Sequence, residues 1–312
     1  MKYRHLFGPV PSRRLGLSLG IDPIPYKTCT FDCIYCECGA TTDLTKERSE
    51  YISTDEIIHE LDTFLESKPD LDYVTFSGSG EPTLNKGIGK IITHIKDGYP
   101  EYKIAVLTNS SLFSNKAVRK ELLRADLVMP SLDAASEDLF QKINRPAPGI
   151  TIENIINGLI EFRKEYSGTI WLEIFIVPGI NDTKEEINKL HNVLKKINAD
   201  EIQLNSLDRP GTADWVDPVS REYLDSIRSR LGNLPVTVIG GYEKREKVRQ
   251  FNAEIEAQIL ATISRRPCTA EDLTEILDLH ISEVNKYLDT LIGHKKITTV
   301  RKPRGLFYTA NK

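Results

Sequence analysis

Residues 29–38 read Cys-Thr-Phe-Asp-Cys-Ile-Tyr-Cys-Glu-Cys, so four of the five cysteines of this 312-residue chain fall within ten positions. Thiolates bunched in this way bind a metal or a cluster, or pair as disulfides. The first three follow the spacing Cys29-x₃-Cys33-x₂-Cys36. Three sulfurs on one short loop can hold three irons of a cubane and leave the fourth iron open to a ligand, whereas an electron-transfer [4Fe–4S] site uses four cysteines. A structural zinc on Cys29, Cys33, Cys36 and Cys38 is the competing reading, although Cys36-x-Cys38 is a cramped pair and zinc sites usually draw on two separated knuckles. A disulfide framework fits poorly, because the cysteines are few and no secretion signal is expected at the N-terminus.

The length admits one large domain and a small one. With 40% hydrophobic and 28% charged residues the composition is that of an ordinary globular protein. The longest apolar stretch, near Ile170–Ile180, is broken by Glu173, Pro178 and Gly179, so no membrane association is expected. Clustered thiols point to a reducing, cytoplasmic location. A net charge of −4 gives no overall support for nucleic-acid binding.

The opening, residues 7–25, is rich in Gly and Pro, with a first strand expected at Leu15–Ile21. Arg13 and Arg14 point to opposite sides of an extended segment; read neutrally they are a solvated pair, and otherwise one of them is a candidate for an anionic group of a substrate or for the carboxylate of a cofactor. After the cysteine loop, helix periodicity at Ser53–Ser67, about 86–97, 115–124, 136–143, 151–165, 183–197 and 219–231 alternates with strands. Those strands are expected at Tyr73–Ser77, Lys103–Leu107, Leu127–Leu132, Thr169–Val177, Glu201–Asn205 and Pro235–Ile239. Strands alternating with helices imply right-handed crossovers and a parallel sheet. About six strands, with a seventh at the end, suit a partial parallel (β/α)6 TIM-like barrel better than a closed one of eight. In Thr169–Val177 the aliphatic face (Ile170, Leu172, Ile174, Ile176) should pack against helices. Glu173, Gln203 and Asn205 fall on mixed faces that should line a ligand cavity.

Ligands of parallel α/β folds sit at strand exits. The exit after Tyr73–Ser77 is Gly78-Ser-Gly80-Glu81-Pro82, the next carries Asn109, and the third carries Ser131 and Asp133. Read neutrally, Asn109 and Asp133 could instead be caps or turn residues, and Asn181 or Asp182 caps the following helix. The last long exit, Asn205 to Trp215, offers Asn205 and Arg209 as substrate contacts.

The cysteine spacing, with aromatic Tyr35 directly before the third cysteine, resembles the signature of the radical S-adenosylmethionine (AdoMet) superfamily. The Glu81-Pro82 loop resembles its Gly-Gly-Glu-Pro motif, with Ser79 separating the glycines. The opening Phe7-Gly-Pro-Val-Pro-Ser-Arg-Arg looks like an iron–sulfur oxidoreductase branch related to wyosine-forming tRNA enzymes. Those enzymes carry further N-terminal cysteines, and here none precedes Cys29. The resemblance implies a [4Fe–4S] cluster on Cys29, Cys33 and Cys36, and AdoMet contacts at Tyr35, Gly78, Gly80, Glu81, Asn109, Ser131, Asp133, Glu173 and Val177. It also implies reductive AdoMet cleavage to a 5′-deoxyadenosyl radical, and an electron donor such as flavodoxin or ferredoxin. Cys38 is a spare thiol, a hydrogen donor or a substrate-binding sulfur.

Beyond a charged connector the pattern changes. The expected division is 1–242 for the barrel, 243–252 for the connector and 253–312 for a small C-terminal domain. Helices at Ile255–Ile263, from Thr269, and at Ser282–Leu291, followed by a basic hairpin around Arg301–Gly305, resemble a winged helix-turn-helix. From Glu254 to Lys312 nine Lys/Arg face eight Asp/Glu, so sequence-specific DNA readout is not supported. The combined expectation is a radical AdoMet enzyme acting on a peptide, protein or RNA presented through that domain. The alternative is a nucleic-acid-binding winged-helix protein with structural zinc at the cysteine loop.

Overall fold

A computed structural model of the protein describes residues 3–12, 14–207, 211–239, 253–302 and 305–311. Arg13, Arg209, the connector 243–252 and the hairpin tip at Pro303 and Arg304 lie outside the described residues.

The chain opens with strands β1 (Leu6–Ser12) and β2 (Gly16–Ile21), followed by the two-residue pieces β3 (Thr28–Cys29) and β4 (Asp43–Leu44). Alternation then sets in: α1 (Thr54–Leu65), β5 (Tyr73–Phe76), α2 (Ile88–Gly98), β6 (Lys103–Thr108), α3 (Lys116–Glu121), β7 (Leu127–Pro130). Two helices follow, α4 (Glu137–Asn144) and α5 (Ile152–Glu165), then β8 (Thr169–Phe175), α6 (Lys184–Ile197), β9 (Glu201–Asn205), α7 (Arg221–Arg230) and β10 (Val236–Val238). The eight-stranded sheet runs β1-β2-β5-β6-β7-β8-β9-β10, parallel throughout except for the β1–β2 hairpin. β1 and β10 stand at opposite ends of that order, so the sheet is open.

Helix starts follow local chemistry: Ser53, Asn115, Thr151, Thr183 and Ser220 each accept a backbone N–H of the first turn. The apolar stripes, such as Ile57, Leu61 and Leu65 of α1 or Ile187, Leu190 and Leu194 of α6, are fully buried on the sheet. Each such side chain contributes roughly 1.5–3 kcal/mol by leaving water. The aliphatic face of β8 joins this outer core, while Leu15, Ala105, Leu127 and Met129 form a small apolar plug on the inner face.

Strand β1 was hidden in sequence by its Gly and Pro content. It is an edge strand, where a proline costs no ladder hydrogen bond. The first parallel strand accordingly begins at Gly16 rather than Leu15.

The C-terminal residues form α8 (Ala253–Arg265), α9 (Ala270–Leu277), α10 (Ile281–Gly293) and the antiparallel hairpin β11 (Ile297–Lys302) and β12 (Gly305–Ala310). They enclose their own core of Ile259, Ile263, Leu273, Val284, Leu288 and Leu291. Cys268 is buried there and its backbone pairs with Tyr308. α10 covers β1: the Phe7 ring stacks on His280 at 4.7 Å, and Glu283 accepts the Gly8 N–H at 3.4 Å. Covering an otherwise exposed edge in this way protects it from pairing with other chains. Replacing Phe7 by Ala removes the ring from both the edge and α10. We expect urea denaturation to show a loss of about 3 kcal/mol; an unchanged midpoint would place the α10 contact outside the folded state's stability.

Candidate active site

The cysteine loop lies across the strand exits. Its start is held by the β3–β4 pair and by the Glu81 N–H, which donates to the Thr28 carbonyl at 3.2 Å. Gly80 is required at this contact, since a Cβ there would overlap the Thr28 carbonyl oxygen. Further along, Ile34 donates to the Ile143 carbonyl at 2.9 Å and Asp32 to that of Asn144 at 3.0 Å, so the loop is laid against the end of α4. On its far side Ala213 donates to the Ile34 carbonyl and Thr212 Oγ1 to the Cys36 carbonyl.

Each motif sulfur faces a nitrogen donor. Asn109 Nδ2 lies 3.6 Å from Cys29 Sγ, Asn144 Nδ2 3.5 Å from Cys33 Sγ, and Lys27 Nζ 3.2 Å from Cys36 Sγ. Burial pushes the Cys29 thiol up to about 12 and raises that of Cys33 well above its ordinary value. Cys36 goes the other way, below its ordinary value, because Cys38 donates to its sulfur and the Lys27 ammonium lies beside it. Lys27 is itself buried, and although desolvation opposes its charge, the neighbouring cysteine sulfurs, Cys36 foremost, hold its pKa above the usual lysine range. Among the described residues no three His, Cys, Asp or Glu side chains converge on one point as ligands of a single ion would. Ligands of an iron–sulfur cluster each bind their own iron, and amide donors aimed at thiolate sulfur are the second layer such a cluster uses. The donor set of three thiols, two amides and one ammonium fits that group.

Behind the sulfurs stand two buried carboxylates. Glu81 Oε1 accepts from the Thr83 N–H and hydroxyl and from Thr108 Oγ1, while Oε2 accepts from the Asn109 N–H at 2.7 Å. Burial nevertheless raises its pKa. Asp133 accepts from Tyr35 Oη at 2.5 Å, Asn144 Nδ2 at 2.7 Å and the Phe175 N–H at 2.8 Å. The Tyr35 ring stacks on Phe175 at 3.9 Å. Asn109, Ser131, Asp133 and Tyr35 line a cavity of about 10 Å³ beside the loop.

Other candidates are placed differently. Arg14 pairs with Glu173 and donates to Gln203 at 3.1 Å, so two of the three polar residues expected on the inner face are engaged by a side chain from the hairpin turn. Gly78 adopts a positive φ and packs against Asp22, and Cys38 lies 4.0 Å from the Gly78 carbonyl. Asn205 turns back on the Ser206 N–H, and Val177 is buried with its N–H on Asn181 Oδ1. Neither Asn181 nor Asp182 caps α6, because Thr183 holds that position. Asn181 instead staples the β8 exit through the Asp133 and Phe175 carbonyls. Asn109 is no helix cap either; it joins the cysteine loop through Thr30 Oγ1 at 2.7 Å.

Sequence reasoning missed Lys27 and Asp22. Asp22 Oδ2 accepts from the Ser79 N–H at 3.1 Å and its hydroxyl at 3.0 Å, and from His280 Nε2 of the C-terminal module at 3.2 Å. The only signal for Lys27 was its place two residues before Cys29.

Desolvation raises Asp133 from 3.8 to about 6. A carboxyl with a raised folded pKa binds more protons folded than unfolded, so its contribution is greatest below the unfolded value and declines as pH rises to the folded one. Across that window wild type should lose roughly 3 kcal/mol relative to Asp133→Asn, measured by urea denaturation at stepped pH. Parallel profiles for the two proteins would contradict the assignment.

The Radical SAM superfamily pattern matches residues 24–192. A UPF0026 protein of Methanocaldococcus jannaschii is 33% identical over 314 residues, covering 98% of this chain and 95% of that protein. A Brachyspira hyodysenteriae protein named GTPase Obg is 36% identical over 95% of this chain, which spans only 44% of that relative. Ribosomal RNA large subunit methyltransferase N of Nitrosopumilus maritimus is 23% identical, covering 73% of this chain and 66% of that enzyme. In fold, a radical SAM methyltransferase from Sphaerobacter thermophilus aligns with a TM-score of 0.54 at 16% identity, over 71% of this chain and 65% of that one. No described helix is long and apolar enough to cross a membrane. The chain belongs to the radical SAM superfamily and is a radical SAM enzyme.

Proposed function

We propose that Cys29, Cys33 and Cys36 hold a [4Fe–4S] cluster whose open iron binds AdoMet, and that the inner face of the sheet is the reaction chamber. The observation that carries this reading is the convergence of Asn109, Asn144 and Lys27 on the three motif sulfurs. When bound, the pair supplies one-electron cleavage of the sulfonium, drawing its electron from an external reductant such as flavodoxin or ferredoxin, and removal of hydrogen from a substrate.

The chain's own residues bind and orient. Lys27 offsets the negative charge of the thiolates, and the two asparagine amides fix the sulfurs. Glu81 keeps acceptor capacity on Oε2, which takes a single N–H bond while Oε1 takes three. That oxygen is the place for the AdoMet ammonium. Asn109 and Ser131 stand at the exits of β6 and β7 and offer polar contacts to the ribose and carboxylate. The Tyr35–Phe175 stack closes the far side against water.

The three C-terminal helices and hairpin are read as a winged helix-turn-helix. The helix that would enter a groove is α10; Val284, Tyr287 and Leu288 face the module's own core, and on its other side Ser282, Glu283 and Lys286 are half-buried and Asn285 buried, with Glu283 bonded to the Gly8 N–H. Substrate capture through that helix, whether of RNA or of peptide, therefore does not fit the folded chain.

Anaerobic reconstitution should yield iron and acid-labile sulfide, and the reduced protein should release methionine and 5′-deoxyadenosine from AdoMet. Cys33→Ala should lower that release about a hundredfold or more. Zinc without sulfide, or full cleavage by the variant, would overturn the reading.

A further inference from the structure

A second cavity of about 80 Å³ lies between the β1–β2 hairpin, the inner ends of β5 and β6, and α10. One ordered water needs roughly 10–15 Å³ of such space. The cavity beside Tyr35 therefore has room for about one water, whereas this one admits a functional group of several heavy atoms. Ser18 and Thr75, bonded to each other at 2.5 Å, line it together with Ser12 and Ser77. Its charged lining residues are Arg14 from the hairpin turn and Lys286 from α10; no carboxylate is among the lining residues.

Arg14 is preset for an anion. Its Nη1 is engaged by Glu173 and Gln203, which fixes the guanidinium plane. Its Nε and Nη2 donate to no group among the described residues, and a guanidinium presents its donors in a rigid fork suited to carboxylate or phosphate oxygens. Lys286 approaches from the opposite element as a point charge. Its position is set by the docking of α10 through Phe7–His280 and Gly8–Glu283. A half-buried recess lined by an ammonium, a guanidinium held from one side by Glu173, and four hydroxyls is complementary to anionic oxygens with hydrogen-bonding neighbours.

Resting on the reading of the inner face as reaction chamber, we infer that this cavity is the substrate subsite for a small molecule bearing a carboxylate or phosphate. Lys286 of the C-terminal module and Arg14 are its anchors. The C-terminal module then serves as a wall of the reaction chamber, with α10 turned inward. Asp22 links the same module to the Gly78–Gly80 loop, because it takes His280 on one side and Ser79 on the other.

The test is titration calorimetry on full-length reconstituted protein at constant ionic strength, with inorganic phosphate and succinate as separate probes. Saturable binding of either supports the subsite, and which probe binds identifies the anion. Lys286→Gln should weaken binding about tenfold, the loss expected for one charge-assisted hydrogen bond. Lys286→Arg should restore most of it. Lys164→Gln, an equal charge change on an exposed site of α5, should match wild type. No saturable binding of either probe, equal effects of the Lys286→Gln and Lys164→Gln changes, or binding of an RNA oligonucleotide without either probe would overturn the inference. AdoMet cleavage measured on the same wild-type preparation separates the two readings. Cleavage without anion binding removes the subsite alone; anion binding without cleavage removes the radical chemistry alone.

Discussion

The carboxylate of Asp133 ties the site together. It sits at the exit of β7 and accepts from three different regions of the chain: the phenol of Tyr35 in the cysteine loop, the amide of Asn144 at the end of α4, and the backbone of Phe175 at the end of β8. Asn144 passes the connection to Cys33. Burying a carboxylate is costly unless its lone pairs are filled, and three donors supply what water no longer can. The position of the thiol loop over the sheet is thus set by a polar hub, with the Tyr35–Phe175 stack packed around it. Glu81, from the exit of β5, is the equivalent hub there, bonding Thr108 and Asn109 at the end of β6.

From those hubs the inner face divides by chemistry. Leu15, Ala105, Leu127 and Met129 fill one end with apolar side chains. Arg14, Glu173 and Gln203 form a polar layer, and the thiols lie over the strand exits. Exposed ion pairs contribute little, but Arg14 and Glu173 are both largely shielded, so the pair is a positional device more than a source of net stability. The hairpin that delivers Arg14 is itself covered by α10, with Glu283 meeting Gly8 across 275 positions of sequence, which is how so distant a module comes to shape the chamber. The β11–β12 hairpin reaches the other flank, where Arg301 donates to the Gly211 carbonyl at 3.3 Å and pairs with Asp214, next to the segment that packs on Tyr35 and Cys36.

Much of this was legible in the sequence because it rests on local chemistry. Helix stripes, cap residues and strand parity depend on near neighbours, and Glu173 and Gln203 could be assigned to the inner face from alternation alone. β1 was missed because its prolines contradict strand propensity, a penalty that vanishes at a sheet edge. The roles of Lys27, Asp22 and Asn144 depend on contacts made across the fold, and no spacing rule places a lysine ammonium against a thiol nine residues on. Asn181 was misread for a related reason: an Asn before a helix looks like a cap until a buried strand exit with open carbonyls competes for its amide. The inward face of α10 was equally invisible, since its charge pattern is that of a solvated helix.

We propose that the three-cysteine loop carries a cluster with one iron open to AdoMet. Electron paramagnetic resonance of the anaerobically reconstituted, reduced protein tests it most directly. A [4Fe–4S] signal whose shape changes when AdoMet is added is expected. A cluster signal indifferent to AdoMet, or no cluster signal from protein that retains bound zinc, would contradict it.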